Sequence, residues 1–464
     1  MREGTPSTKL IHLLTGLQKR YNPGIGASRD RQILKLLRVA RVSALCIGAV
    51  VCLVIPIEVQ AQASEDPGPR WIWSQIKQGT ISADVRYRFE AYQRDGAPFT
   101  APSYAPTLRV GLGYETRSYY GFSALAQGDA TFVIGSADYS VPTLPSMNRP
   151  TRPAILDPRS VELSQGYLKW KSGLAQRNLA VTVGRQEIVL NDGRFVGPSY
   201  WRQIHGGFDA ARFDATLPRG FSFTYAFINR YYRVVGHNAT DGKPPMHTHL
   251  VNVAWSKPNR VSTSLYGVLL DYRSQSQYSL STQTFGARAE GPYTLSQDWN
   301  ILYAADFAKQ QNFGNNPNLV NVNYYLGELG PAWRGLGLKA GYALLGGRSL
   351  TDKLSTPLTK PFNGWTDLFA DNPSGGGGYG LEARYLSAGG PINRLGGAMS
   401  TLTYYDYHSD FRHVHYGSEL DMALAYKVKK ISNRWEIGWR FGRYWSDRLF
   451  TPAVRTSVYT SFSM

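Results

Sequence analysis

From Ile81 to the C-terminus the sequence alternates between apolar and polar side chains in short segments, and no stretch sustains a helical period over three turns. Successive side chains of an extended strand point to opposite faces. In ISADVRYRFE one face therefore carries Ile81, Ala83, Val85, Tyr87 and Phe89, and the other Asp84, Arg86, Arg88 and Glu90. The same division recurs in LRVGLGYE with Arg109 and Glu115, FGARAE with Arg288 and Glu290, and LEARY with Glu382 and Arg384. It recurs again in SELDMALAY with Glu419 and Asp421, and in WEIGWRFG with Glu436 and Arg440. Strands that are apolar on one face close either into a soluble sandwich, apolar side inward, or into a transmembrane barrel, apolar side outward.

The connections discriminate between the two. About 18 strands fit the pattern, near 81–91, 105–116, 118–129, 160–171, 178–188, 206–217, 220–231, 247–256, 261–272, 282–291, 298–309, 319–329, 335–345, 379–386, 398–408, 415–428, 433–444 and 453–463. Every second connection is short, as at Thr116 to Arg117, Pro218-Arg219, Lys257 to Arg260 and Gly330 to Arg334, whereas 130–159, 189–205, 232–246 and 346–378 are long. Tight turns at one end and longer loops at the other belong to an up-and-down transmembrane barrel. Two connections depart from this: 387–397 is long for its place and 409–414 is short. Aromatic residues collect at strand ends, at Tyr231-Tyr232, Tyr324-Tyr325, Tyr404-Tyr405 and Trp439 to Trp445, where interfacial girdles sit. The expected fold is all-β: a transmembrane up-and-down antiparallel β-barrel of about 18 strands over residues 64–464.

Residues 1–63 read as an N-terminal extension and signal peptide. Arg29, Arg31, Lys35, Arg38 and Arg41 form a basic lead, Val42 to Ile57 is apolar, and Ala61-Gln62-Ala63 supplies small residues for cleavage after Ala63. A membrane anchor is the alternative, but the apolar run, with Pro56 inside it, falls short of the ~20 residues a spanning helix needs. Cys46 and Cys52 both lie in this segment, so the mature chain has no thiol, in keeping with passage through an oxidising periplasm.

The formal charge is +18, and residues 1–63 hold nine Lys/Arg and three Asp/Glu, so +12 remains on the mature chain. Such a charge suits nucleic acid, acidic lipid or an acidic substrate, and export removes nucleic acid as a partner. The expected location is the outer membrane of a Gram-negative bacterium, against outer-membrane lipid. The last strand, Ala453 to Met464, sets Val454, Val458, Phe462 and Met464 on one face, a form of C-terminal strand that the barrel assembly machinery reads.

Charge is densest in GRQEIVLNDGRFVGPSYWRQIHGGFDAAR, Gly184 to Arg212, which lies between the alternating runs LAVTV and FDATL. Held between two strands, such a stretch caps or enters a cavity. We expect Val189 to His205 to enter the lumen and narrow it, because Phe195, Trp201 and paired arginines suit a constriction better than bulk water. Parity places Arg185 on the face of Val181 and Val183 unless the strand bulges or has left the bilayer by then. His247 and His249, and His413 and His415, share strand faces, but no carboxylate or cysteine set completes a metal site in either pair. Asp406, His408 and Asp410 could be imagined as a hydrolytic set, yet no GxSxG accompanies them, and Gly375 to Gly378 lack the Lys-Ser/Thr of a phosphate loop. No cofactor, metal or enzymatic activity is expected.

Three stretches in this order, Gly184 to Arg212, Phe362-Asn363-Gly364-Trp365-Thr366-Asp367-Leu368-Phe369 and Tyr416-Gly417-Ser418-Glu419-Leu420-Asp421, resemble the alginate export family of outer-membrane proteins. The likeness runs from about Ser82 to the C-terminus. The resemblance implies a monomeric 18-stranded barrel whose arginine-rich lumen passes an anionic uronate polysaccharide, with periplasmic secretion proteins as partners. It implies pore-lining positions for Arg185, Arg194, Arg202 and Arg212, with Asp192 and Asp209 as their ion-pair partners. The sequence departs from the family at Asn372-Pro373-Ser374 and the four glycines that follow. The expected function is an outer-membrane channel for an anionic solute, foremost the export of an acidic polysaccharide. The alternatives are an uptake porin for small organic anions and an outer-membrane enzyme, and the arginines have an alternative too, a lumen whose charges merely neutralise one another.

Overall fold

The computed structural model describes residues 78–464 except 173–177, 360–362, 370–377 and 430. The expected signal segment 1–63, with its two cysteines, lies outside the described residues, as do Phe362 and Gly375 to Gly377. Strands β1 to β6 span Thr80–Arg94, Ser103–Glu115, Phe122–Val133, Ser160–Lys171, Asn178–Gln186 and Gly207–Thr216. Strands β7 to β12 span Phe221–Tyr232, Pro245–Lys257, Val261–Leu270, Thr282–Thr294, Trp299–Asn312 and Asn321–Trp333. Strands β13 to β18 span Leu336–Leu345, Leu381–Ile392, Ala398–His408, His415–Lys427, Trp435–Ser446 and Ala453–Ser463.

Each strand pairs antiparallel with the next, and β1 pairs with β18, so the 18-stranded sheet has no free edge. The expected barrel is the observed one. The anomaly at 387–397 disappears because β14 runs on to Ile392, leaving a tight turn, whereas 409–414 remains a short loop at the long-loop end. The barrel's first and last strands meet at the short-turn end, where Met464 and Ala83 exchange backbone hydrogen bonds of 2.7 and 3.3 Å.

The outer face carries Leu112, Val183, Leu265, Phe285, Phe307, Leu329, Leu338 and Leu402, all exposed. A continuous apolar belt of this kind would drive aggregation in water, and it matches the hydrocarbon band of a membrane barrel. Trp435 and Trp439 also face outward and donate to Thr460 and Thr456 of the neighbouring strand, at 2.6 and 3.2 Å.

Inside, tyrosine rings lie across glycines of the adjacent strand. Tyr385 sits opposite Gly341 and Tyr459 opposite Gly438, and a Cβ on either glycine would come within 2.1 and 2.2 Å of the ring. The missing side chains let the two hydroxyls reach Glu328 and Glu436, at 2.5 and 2.8 Å. Glycine spends strand propensity here to fix a ring and a carboxylate on the lumen wall.

Leu265, 65% exposed, reports on the lipid face. Leu265→Arg should destabilise the barrel by about 2–4 kcal/mol, the cost of a cation in hydrocarbon, read by urea unfolding from micelles. A change within experimental error would place that face in water.

Candidate functional site: a lumen closed by two loops

Strand parity directs Asp84, Arg86, Arg88 and Glu90 of β1 into the lumen, together with Arg109 of β2, Arg288 of β10, Arg440 of β17 and Arg455 of β18. The loop joining β5 to β6 turns inward to meet them. Arg86 donates from Nε to Gln203 Oε1 at 3.0 Å, from Nη1 to the Tyr200 carbonyl at 2.9 Å, and from Nη2 to the Arg202 carbonyl. Arg88 donates to the Trp201 carbonyl and stacks its guanidinium over the Trp201 ring at 4.4 Å. At the far wall Phe195 packs against Tyr266 and Tyr324, with centroids 5.8 and 5.3 Å apart, and Asn191 accepts from Ser264 at 3.0 Å. The segment Val189 to His205 thus crosses the lumen from β1 to β9 and β12, as its composition predicts.

A second loop, between β13 and β14, enters beside it. Thr366 donates from its backbone and its hydroxyl to the two oxygens of Glu419, both at 2.7 Å, and the Trp365 amide donates to Asp421 at 3.0 Å. Gly364 makes room for this contact: its φ is +87°, and the Glu419 carboxylate lies 2.5 Å from where a Cβ would stand. Phe369 packs on Tyr407 with centroids 4.2 Å apart and also meets Tyr444 and Phe450. The Gly197 amide donates to the Leu358 carbonyl at 3.2 Å, so the two loops bond to each other. All three motifs behind the family resemblance are joined here.

Where the loops meet the wall, three arginines and three carboxylates interlock. Arg202 pairs with Asp367, and Arg455 bridges Asp367 at 2.8 Å and Glu90 through Nε at 2.7 Å. Arg88 pairs with Glu90 at 3.3 Å and with Asp157 of the β3–β4 loop, which also lies 3.8 Å from Arg202. Arg88, Glu90, Asp157 and Arg202 are at most 2% exposed. Removing one member of such a cluster strands a charge out of water, at a cost of about 3–5 kcal/mol. Sequence reading did not assign Asp157, Asp367 or Arg455 to this set. Only the inward parity of Arg455 hinted at it, since their partners come from loops distant along the chain.

Other candidates are inside but neutralised. Arg109 pairs with Asp84 at 3.1 Å and Asp129 at 3.2 Å, and Arg288 with Asp192, Asp306 and Glu290 at 3.2, 3.1 and 2.7 Å. Arg194 lies 3.9 Å from Asp192, donates to Asn363 at 3.5 Å and stands over Tyr324 at 5.5 Å. Arg212 faces inward and pairs with Asp214 at 2.8 Å, nearer the short-turn end.

Three candidates are not in the lumen. Arg185 pairs in continuous register with Gly166 and Asp209 and shares the outward face of Val183, so its 2.9 Å ion pair with Asp209 lies outside the barrel, with Tyr232 at 3.4 Å. Arg384 lies on the outward face of Leu386 and is held by Glu382 at 2.6 Å. Each of these lies near the long-loop end of its strand. For Arg185 this is the face that parity with Val181 and Val183 gives, against the family resemblance; for Arg384, beyond the apolar band both faces meet water and alternation no longer tells inside from outside.

Between β1, β17, β18 and the β5–β6 loop lies a cavity of about 570 Å³, lined by Arg86, Arg194, Trp201, Glu436, Arg440 and Tyr459. Past Trp201, between Arg202, Trp365 and Asp367, about 30 Å³ remains, little more than a water occupies. Arg440 stacks on Trp201 at 3.8 Å and stands 5.3 Å from Trp365. Among the described residues the Arg440 guanidinium has no carboxylate or hydrogen-bond partner, and only its backbone carbonyl accepts, from the Thr456 hydroxyl at 3.1 Å.

His205 closes the loop at its base. Arg109 donates to Nε2 at 3.0 Å, so the ring proton is on Nδ1 and is donated to Glu187 at 3.0 Å. Burial, aided by the Arg109 charge against the opposing pull of Glu187, holds the imidazole below its ordinary pKa.

Comparison with known proteins places this geometry. Residues 137–344 match the family model described as alginate export, which bears out the resemblance read from the sequence. No curated protein sequence matches the chain significantly. Among solved structures the barrel is similar to OccAB3 of Acinetobacter baumannii, at 14% identity and a TM-score of 0.65, covering 84% of this chain and 100% of that one. It is also similar to OpdO of Pseudomonas aeruginosa, at 14% identity and a TM-score of 0.62, covering 85% of this chain and 99% of that one. OpdK of Pseudomonas aeruginosa, solved with vanillate, is similar at 10% identity and a TM-score of 0.60, covering 83% of this chain and 98% of that one. At these identities the likeness concerns the barrel fold alone. The chain has the closed 18-stranded fold of these outer-membrane channels, and the family match agrees with it.

Two outcomes follow. Asp367→Ala leaves Arg202 and Arg455 without their shared carboxylate, so the barrel should lose about 3 kcal/mol and its single-channel conductance should rise; unchanged conductance would mean the loops do not set the constriction. Because the folded state holds His205 below its unfolded pKa, the unfolded chain takes up the proton first. Stability should therefore fall as pH drops below about 6.5, and His205→Gln should flatten that dependence in urea unfolding between pH 7.5 and 5.

Proposed function

We propose that this chain conducts an anionic solute across the outer membrane, and that Arg440 is the group its cargo meets. The observation that carries the reading is the stacked, unpaired guanidinium. Trp201 covers its face at 3.8 Å, which leaves the in-plane N–H fork directed at the cavity. That edge matches a carboxylate in two parallel hydrogen bonds. Arg86 also lacks a carboxylate partner among the described residues, but its nitrogens are engaged by the loop. It therefore contributes field rather than contacts. Low-dielectric walls focus such a field and raise the local anion concentration. Glu436, held by Tyr459, and Asp84, held by Arg109, temper it, so the site favours anions without trapping them.

The family match supports an acidic, alginate-like polysaccharide as cargo, since a polyuronate presents a carboxylate on every sugar. In that case the Trp201–Trp365 constriction opens during passage. A second reading, uptake of small organic anions, is supported by the cavity volume, which lies in the range of small-molecule sites. OpdK, the barrel solved with vanillate, itself a carboxylate, points the same way. An enzymatic role gains no support from the family or the structural relatives.

In planar bilayers across a salt gradient the reversal potential should favour chloride over potassium. Arg440→Gln should remove most of that preference, and Arg185→Gln, on the outer wall, should leave it intact. Oligouronates that block more strongly as they lengthen would identify the polymer, whereas block by vanillate-sized carboxylates alone would identify the small anion. A cation-selective wild-type channel would refute the proposal.

A further inference from the structure

We infer that the long-loop rim of the barrel, on its outer face, holds a site for one divalent transition-metal ion, built from Asp406, His408 and His415. Sequence spacing suggested His413 with His415 and His247 with His249. The fold makes neither pair: His413 is 78% exposed with Glu382 at 3.9 Å, and His249 is engaged by the Tyr225 hydroxyl at 2.9 Å. Instead, a register shift after Tyr407 sets His408 directly across from His415, with ring centroids 4.9 Å apart. Leu402, Tyr404, Asp406 and His408 share the outward face, and the last two lie at the water-exposed end of β15.

The donor atoms converge. Asp406 Oδ1 is 3.0 Å from His415 Nε2, and Asp406 Oδ2 is 3.5 Å from His408 Nδ1. Any two ligand atoms of the three residues lie within 4.8 Å. Ligands at about 2.0–2.2 Å around a tetrahedral zinc stand about 3.3 Å apart, so side-chain adjustment alone brings them to coordination distance. His408 Nδ1 is buried and makes no hydrogen bond among the described residues. A buried ring nitrogen facing a carboxylate beyond hydrogen-bonding reach gains its missing partner when an ion sits between them.

The surroundings fit a metal as well. His415 Nδ1 donates to Asp447 Oδ2 at 3.0 Å, as behind a metal-bound imidazole, and Nε2, which donates to Asp406 Oδ1 at 3.0 Å, is the nitrogen that an ion takes in place of that proton. Arg384, opposite Asp406 in register, is held by Glu382 at 2.7 Å. The 409–414 turn is fixed by Ser409, whose hydroxyl accepts the Val414 amide at 2.7 Å and donates to the Phe411 carbonyl at 2.7 Å. Two imidazoles and one carboxylate select zinc or a similar borderline ion over calcium or magnesium, and leave a coordination position open to water. Bound there, the ion links the β15–β16 hairpin through His415 and Asp447 to the β17–β18 loop, outside the conduction path.

The test uses the full barrel, folded in detergent and without an affinity tag. Calorimetric titration with zinc chloride at pH 7.5 should show one ion per chain, and calcium chloride none. His408→Ala and His415→Ala should each abolish that binding, Asp447→Asn should weaken it about 10–100-fold, and the double variant His247→Ala/His249→Ala should retain it. Heat-modifiable gel migration confirms that each variant is folded. Absence of stoichiometric zinc binding by the wild type, or binding retained in folded His408→Ala and His415→Ala, would overturn the inference and leave the cluster as a proton-bearing ion pair.

Discussion

A charge inside a closed lumen has little water to turn to, and this constraint organises the whole interior. Once two loops fill the barrel, Arg88, Arg202 and Arg455 must meet Glu90, Asp157 and Asp367 or bear the cost of desolvated charge. The partners come from two wall strands and three loops, so satisfying the cluster fixes where each loop lies. Backbone contacts follow from that placement, among them the Gln203 amide on Asp157 at 2.8 Å and Thr366 on Glu419 at 2.7 Å. Trp201 and Phe369 then pack into the space the ion pairs define.

A cluster balanced three against three produces little net field, and it therefore contributes little to the anion preference proposed for the lumen. The lumen divides its arginines into structural groups with dedicated carboxylates and a smaller set without them. Arg440, clasped by Trp201, belongs to the second, and Arg86 stands between the two, spending its donors on the loop while keeping its charge uncompensated. Density of arginine in a stretch of sequence is thus a poor guide to which arginine is left without a carboxylate. What counts is whether a carboxylate lies within reach, and that is settled by neighbours across the barrel. The same sorting applies at the rim, where Asp406 and Asp447 hold histidines and not guanidinium groups.

The sequence by itself determined the barrel, its strand number and most of its faces. Period-two alternation is imposed by the lipid on one side and water on the other, and both act on each residue locally. Arg86, Arg88, Arg109, Arg288 and Arg440 face inward as the alternation requires. It failed at Arg384, where the strand has left the apolar band and both faces are wet, whereas at Arg185 parity with Val181 and Val183 held and the pore-lining position implied by the family resemblance did not. Tertiary structure alone decided the rest: that Asp367 joins Arg202 to Arg455, that the Arg440 guanidinium has no carboxylate partner among the described residues, and that His408 meets His415 rather than His413 meeting it. These are meetings between residues brought together by closure of the sheet, by a one-residue register shift and by inward-folded loops. Such geometry depends on the summed twist and pairing of many strands, and no local pattern of side chains encodes it.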